Sequence, residues 1–153
     1  MKPRRPSRLD RLQAATPTAL FVLALSQWGM MPTLGHADEQ VRLDYLLHCS
    51  GCHLPEGQGA PPIPGLQGDP GRLAHTQAGR AYLVQVPGAS QTPITDKQLA
   101  DITNWILQEF SSATLPADFK PFSAKEVRDA RAEILLDPLK RRAEIWSELP
   151  EFP

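Results

Sequence analysis

The chain has 153 residues, with 16 Lys+Arg against 17 Asp+Glu and a formal net charge of -1. The first 37 residues hold five of the basic side chains (Lys2, Arg4, Arg5, Arg8, Arg11) and one acidic one (Asp10), so residues 38–153 carry 11 basic and 16 acidic groups, a net of -5. That balance excludes a polyanion such as nucleic acid as partner. A composition 41% apolar and 22% charged is that of one globular domain, the 16 prolines exclude long uninterrupted elements over much of it, and two cysteines exclude a disulfide-dense scaffold.

Residues 1–37 read as a secretory signal peptide. Met1–Leu12 form a basic n-region, Thr18–Leu25 a short apolar h-region, and Gly35-His36-Ala37 places small residues at a cleavage site before Asp38. The apolar run is shorter than the roughly 20 residues that span a bilayer. Trp28-Gly29-Met30-Met31 lengthens it enough to keep an uncleaved anchor as the alternative, and contact with a membrane follows only in that case. Arg4-Arg5 suits a twin-arginine signal, but Pro6-Ser7-Arg8-Leu9 does not, so the general secretory route and a periplasmic location are expected. The remainder divides into 38–112, two helix-like segments around a Pro/Gly-rich middle, and 113–153, a linker followed by a helical C-terminal extension.

Glu39–His48 has a helical pattern, and it leads into Cys49-Ser50-Gly51-Cys52-His53. Cys-x-x-Cys-His is the pattern of a c-type haem attachment site. Two cysteines separated by two residues reach the two vinyl groups on one porphyrin edge as thioethers, and the next residue lies under the ring, where its imidazole meets the iron. Cys49 and Cys52 are therefore the candidate cofactor-binding residues and His53 the candidate metal ligand. Three other uses of the motif stay open on the residues alone. A thioredoxin-like dithiol wants a strand before the motif, a zinc site wants four ligands, and a plain disulfide wants nothing further.

Together with its flanks, the motif resembles the class I cytochrome c family over about residues 38–111. The resemblance implies an all-α, class I cytochrome c fold, one covalent haem c, and Glu39–His48 as the N-terminal helix. Tyr45, four residues before Cys49, stands where the family usually carries an aromatic, on one helical face with Val41 and Cys49. The family often has a small residue at the Val41 position, which implies a looser helix crossing here. In Pro62-Ile63-Pro64-Gly65-Leu66, Pro64 and Leu66 match the family's Pro-x-Leu, which implies that the Pro64 carbonyl accepts the other N–H of His53 and that Leu66 packs on the ring. A carbonyl there fixes the tautomer and orientation of a metal-bound imidazole.

Thr95-Asp96-Lys97-Gln98 is a capping-box pattern, and Leu99, Ile102, Ile106 and Phe110 then recur at helical spacing. Trp105 resembles the aromatic of the family's C-terminal helix, expected to pack on Tyr45. The pattern breaks before that helix. Relatives usually complete the iron with a methionine in a Met-Pro pair, whereas Val86-Pro87 stands here, and Met1, Met30 and Met31 all lie in the expected signal. Among the histidines of the remainder, His48 adjoins the proximal side, and only His75 has enough chain between it and His53 to reach the opposite face. Ligation by His75 and an open site, or one filled by water, Tyr82 or a lysine, are equally compatible with the sequence. Either lacks the methionine that raises a haem potential.

In the extension, Ser123-Ala124-Lys125-Glu126 is a second capping-box pattern opening a predicted helix to about Leu136, with Val127, Ala130, Ile134 and Leu135 as its apolar positions. Pro138 is expected to interrupt it, with Leu139–Leu149 continuing and Lys140-Arg141-Arg142 forming a solvated face. The expected function is that of a periplasmic monohaem electron carrier exchanging single electrons with a redox partner protein, such as an exported dehydrogenase. The competing readings are a haem-based ligand-binding or sensor module and a peroxidase-like enzyme, both of which need an open distal site.

Overall fold

The computed structural model of the chain describes residues 34–150. The predicted signal therefore lies outside the described residues except for its last four positions. Those residues open helix α1, Leu34–His48, which begins one turn ahead of the predicted start at Glu39. Among the described residues every regular element is helical, as an all-α fold requires.

Helix α2, Ser50–His53, carries the motif. After a long loop come α3, Asp69–Leu73, with a proline in its first turn, and α4, Gln77–Gln85, whose Thr76 side chain accepts from the Gly79 N–H. The short α5, Pro87–Ser90, leads to α6, Asp96–Ser111. At its start the Thr95 hydroxyl accepts from the Gln98 N–H at 3.2 Å, and the Gln98 side chain accepts from the Thr95 N–H at 3.1 Å, so the expected capping box is formed. A 3-10 turn, Ser112–Thr114, ends that segment.

Burial on α6 is rotated from the predicted stripe. Leu99 and Ile102 are buried as expected, but the next fully buried residue is Leu107, while Ile106 and Phe110 are only partly covered. The reason is the extension, which covers the Ala100–Leu107 side. Helix α7, Ala124–Arg131, lies against α6 and α4, and Phe122 and Val127 close a core with Val84, Leu99, Ala100 and Leu107. Val127 has no exposed surface, and burying such a side chain contributes about 1.5–3 kcal/mol.

The extension departs from its predicted helix in two ways. Helix α7 stops at Arg131 instead of Leu136, leaving Ile134 and Leu136 exposed, and α8, Pro138–Glu148, starts at the proline that was expected to interrupt. Proline has no N–H to give and pushes the preceding residue out of the helical region, so it suits a first turn better than an interior. Asp137 has a non-helical backbone and accepts from the Lys140 N–H at 2.9 Å as N-cap. Ile145 of α8 is buried with Leu73 and Tyr82. Arg142 is not part of a solvated face: it pairs with Asp69 at 2.7 Å and lies over the Trp146 ring. Lys140 remains exposed.

Candidate haem-binding site

The site is positioned by the crossing of α1 and α6. Tyr45 is fully buried, with its ring 5.1 Å from Trp105 and 5.6 Å from Phe110, and those two rings meet edge to face at 5.3 Å. Aromatic contacts of this kind add directional preference to apolar burial. The expected partnership of Tyr45 with Trp105 is therefore present. On the Val41 side of the crossing, a surface groove lined by Val41, Asp101 and Trp105 stays open.

Cys49 keeps the helical hydrogen bond to the Tyr45 carbonyl (2.8 Å) while its own backbone turns, and α2 follows with Cys52 and His53 N–H groups donating to the Cys49 carbonyl at 3.2 and 3.1 Å. One turn of helix puts residues three apart on neighbouring positions of one face. The two thiols are free, Cys49 half-buried and Cys52 exposed. Burial, and then the neighbouring Cys52, pushes the Cys49 thiol up to about 11. A redox-active dithiol needs the opposite shift, and a helix precedes the motif where a thioredoxin-like site wants a strand. Among the described residues no three His, Cys, Asp or Glu side chains gather to hold a metal ion, so a zinc site there lacks its ligand set.

Behind His53 the chain reverses sharply. Leu54 has φ 62, a value that residues with a side chain rarely adopt. Its N–H is held by the Ser50 carbonyl at 2.8 Å and its carbonyl by the Tyr45 hydroxyl at 2.5 Å. Gly57 and Gly59, at φ 73 and 76, let the loop close: a Cβ on Gly59 would stand 2.6 Å from the Ile63 carbonyl oxygen, and one on Gly57 2.9 Å from the Phe110 ring. The loop is tied to the end of α6, where the Gly68 N–H donates to the Phe110 carbonyl at 3.0 Å and the Ser111 hydroxyl to the Leu66 carbonyl at 2.7 Å.

This reversal brings the Pro64 carbonyl 3.2 Å from His53 Nδ1. A carbonyl only accepts, so Nδ1 carries the proton and Nε2 presents its lone pair. Burial lowers the His53 pKa, opposed in part by the Pro64 carbonyl, which favours the neutral ring, the form that binds a metal. Two free thiols a helical turn apart, followed by a neutral imidazole with one nitrogen already satisfied, fit covalent haem.

Several of the residues considered for the opposite face have contacts elsewhere. His75 is exposed beside the end of α3, with its Nε2 3.0 Å from the Thr114 carbonyl. Tyr82 is buried against Leu73 and Ile145, beside the Arg142 guanidinium. Lys97 and Lys125 pair with Asp101 and Asp129. Val86 caps α4 and α5 and packs toward the Leu73–Tyr82–Ile145 cluster. Sequence reasoning missed the buried Leu107, although it lies eight residues after Leu99 on the same helix, and it missed Arg80, Arg131 and Arg142 as ties, whose partners lie 35 or more residues away.

No family model matches the chain. It is similar to two cytochrome c-552 sequences of Thermus thermophilus, each 31% identical over 106 residues that cover 57% of this chain, and 81% of one relative and 72% of the other. Regular elements that are all helical among the described residues, the crossing of α1 and α6, and a Cys-x-x-Cys-His turn backed by a proline carbonyl fit a small covalent haem protein. The chain belongs to the class I c-type cytochromes. It carries covalent haem c, and its class is that of electron carriers.

Proposed function

We propose that this chain is a monohaem electron carrier exported to the periplasm. In this reading Cys49 and Cys52 hold the haem as thioethers and His53 is its axial ligand through Nε2. The observation that carries the reading is the His53–Pro64 contact, which leaves one imidazole nitrogen, and no other, free for iron. Bound haem supplies a one-electron couple, and the protein makes and breaks no bonds of a substrate. The chain's own work is to orient His53, to dry the ring's surroundings and to present an edge. Leu43, Leu47 and Leu54, all substantially exposed, stand on the stretch that leads into and out of the exposed Cys52. They offer a redox partner protein, such as an exported dehydrogenase, a surface that gains by losing water.

Export is supported by the basic, apolar and small-residue succession of residues 1–37. No helix among the described residues is long and apolar enough to cross a membrane. Residues 38–112 supply every haem-holding side chain in this reading, and 113–153 act as a covering extension. Potentiometric titration of protein from a host competent in cytochrome maturation tests the function. One reversible electron per chain is expected, and the absence of a reversible couple contradicts it.

One observation favours a second reading. Residues 34–153 contain no methionine, His75 bonds the Thr114 carbonyl, and Tyr82 is buried with Leu73 and Ile145. An accessible sixth position would let the protein bind a small ligand. Low-spin spectra in both redox states support the carrier alone, whereas high-spin iron that takes up carbon monoxide rapidly supports ligand binding.

A further inference from the structure

Helix α8 carries two apolar stripes and buries one of them. Ile145 is buried with Leu73 and Tyr82, and Leu149 packs against the same cluster. At about 3.6 residues per turn, Leu139, Ala143 and Trp146 fall within about 60° of one another and roughly 120° round from Ile145. That second stripe stays in water: Leu139 is 67% exposed, Trp146 37%, and Ala143 is exposed as well. The loop that leads into α8 adds Ile134 at 85% and Leu136 at 91%, the two most exposed large apolar side chains among the described residues. Single exposed apolar residues are ordinary on a protein surface, whereas a run of them marks a contact site.

The stripe is its own complement, with a large, a small and a large side chain in order. We propose that a second copy of this chain covers it, α8 against α8, antiparallel about a two-fold axis at Ala143. Closed pairs of this kind need only one patch, used by both partners. Leu139 of each copy then comes within one residue's rise, about 1.5 Å along the axis, of Trp146 of the other, and the two Ala143 methyl groups meet where the helices cross. The charges beside the stripe agree with this. Lys140 and Glu144, four residues apart, share one flank of α8. A two-fold axis sets that flank against the same flank of the second copy, so each Lys140 lies within about 3 Å along the axis of the other copy's Glu144. Within one copy Lys140 is exposed and has no ion pair among the described residues. Glu144 has only Arg141, at 3.2 Å and exposed, a pair that holds it weakly. On the opposite flank, the charge of Arg142 is already met by Asp69, and its guanidinium lies over Trp146. Glu133 and Asp137, both exposed among the apolar residues of the loop, disfavour a surface of anionic lipid as the occupant. Five apolar residues a copy reach the lower end of specific interfaces, about 1,000 Å² in total, so dissociation on the order of micromolar is expected.

Sedimentation equilibrium of the full, haem-loaded chain tests the proposal. The parent should be a reversible dimer, and Leu139→Glu should raise its dissociation constant by about tenfold or more. Leu47→Glu, on the exposed apolar part of α1, should leave the constant within about twofold of the parent. Lys140→Glu and Glu144→Lys should each weaken the dimer by about fivefold, and the two together should restore it, which a loss of folding or of general solubility would not do. A parent that stays monomeric at about 1 mM overturns the proposal. So does a monomer that sediments with vesicles of anionic phospholipid, which would give the stripe to a membrane surface. A dimer that survives Leu139→Glu, one that is lost in Leu47→Glu, or a charge-swapped pair no tighter than its single variants also overturns it.

Discussion

Asn104 and Phe122 are joined in both directions. The Asn104 side chain donates through Nδ2 to the Phe122 carbonyl at 3.0 Å, and its Oδ1 accepts from the Phe122 N–H at 2.7 Å. One side chain thus satisfies the whole backbone of a residue that is 4% exposed. Over the Phe122 ring lies Arg80, 4.0 Å from the ring centre, donating through Nε and Nη2 to the Glu126 carboxylate at 2.7 and 2.9 Å. The first turn of the extension is therefore anchored where it meets α6 and α4.

Truncation at Asn104 follows from that arrangement. Asn104→Ala leaves two backbone groups at a covered position without partners, a loss of about 2–3 kcal/mol. Denaturant unfolding of the haem-loaded protein should show the lower midpoint with an unchanged slope. An unchanged midpoint means that the extension is not anchored there.

Tyr45 gives a prediction in pH. Burial first, and then the nearby Cys49, raises its hydroxyl from 10.0 to about 12. A group whose pKa is raised by folding contributes stability that is intact below its unfolded value and is lost as pH rises through its folded value. The loss should therefore run from pH 10 to about 12. Thioether formation at Cys49 removes the second cause and leaves the first. Tyr45→Phe should be less stable at neutral pH by about 1 kcal/mol, from the hydrogen bond to Leu54, and should lack this part of the alkaline loss. Parallel stability curves for the two proteins across that range contradict the assignment.

His75 is the residue to remove next. With its Nε2 at the Thr114 carbonyl, His75→Ala should leave the visible spectrum of both redox states unchanged. A shifted Soret band would place His75 on the iron. Without a methionine in residues 34–153, the potential should lie below that of methionine-ligated relatives. A redox titration in or above the range of those relatives contradicts this.

The candidate site's local geometry is more legible in the sequence than the architecture around it, for a physical reason. Cys49, Cys52, His53 and Pro64 are brought together by local chain geometry and one short loop, and the order and spacing of the first three are written in neighbouring residues. The Thr95–Gln98 capping box is equally local. At Ser123 the same pattern misled in part: Ser123 accepts from the Glu126 N–H at 3.2 Å, but the Glu126 carboxylate goes to Arg80 instead of back to the cap. A charge 46 positions away outbid the local partner. The end of α7 and the rotation of burial on α6 were hidden likewise, because both depend on where the extension docks. A proline at 138 suggests a break, but its lack of an N–H equally suits a beginning.

The measurement that bears most directly on the whole account is the fate of the pigment in acidified acetone. Protein matured in a competent host should keep its colour in the precipitate, with the mass of one haem added to the chain, and Cys49→Ala with Cys52→Ala should abolish that addition. A colourless protein, or pigment that passes wholly into the solvent, contradicts covalent attachment at Cys49 and Cys52.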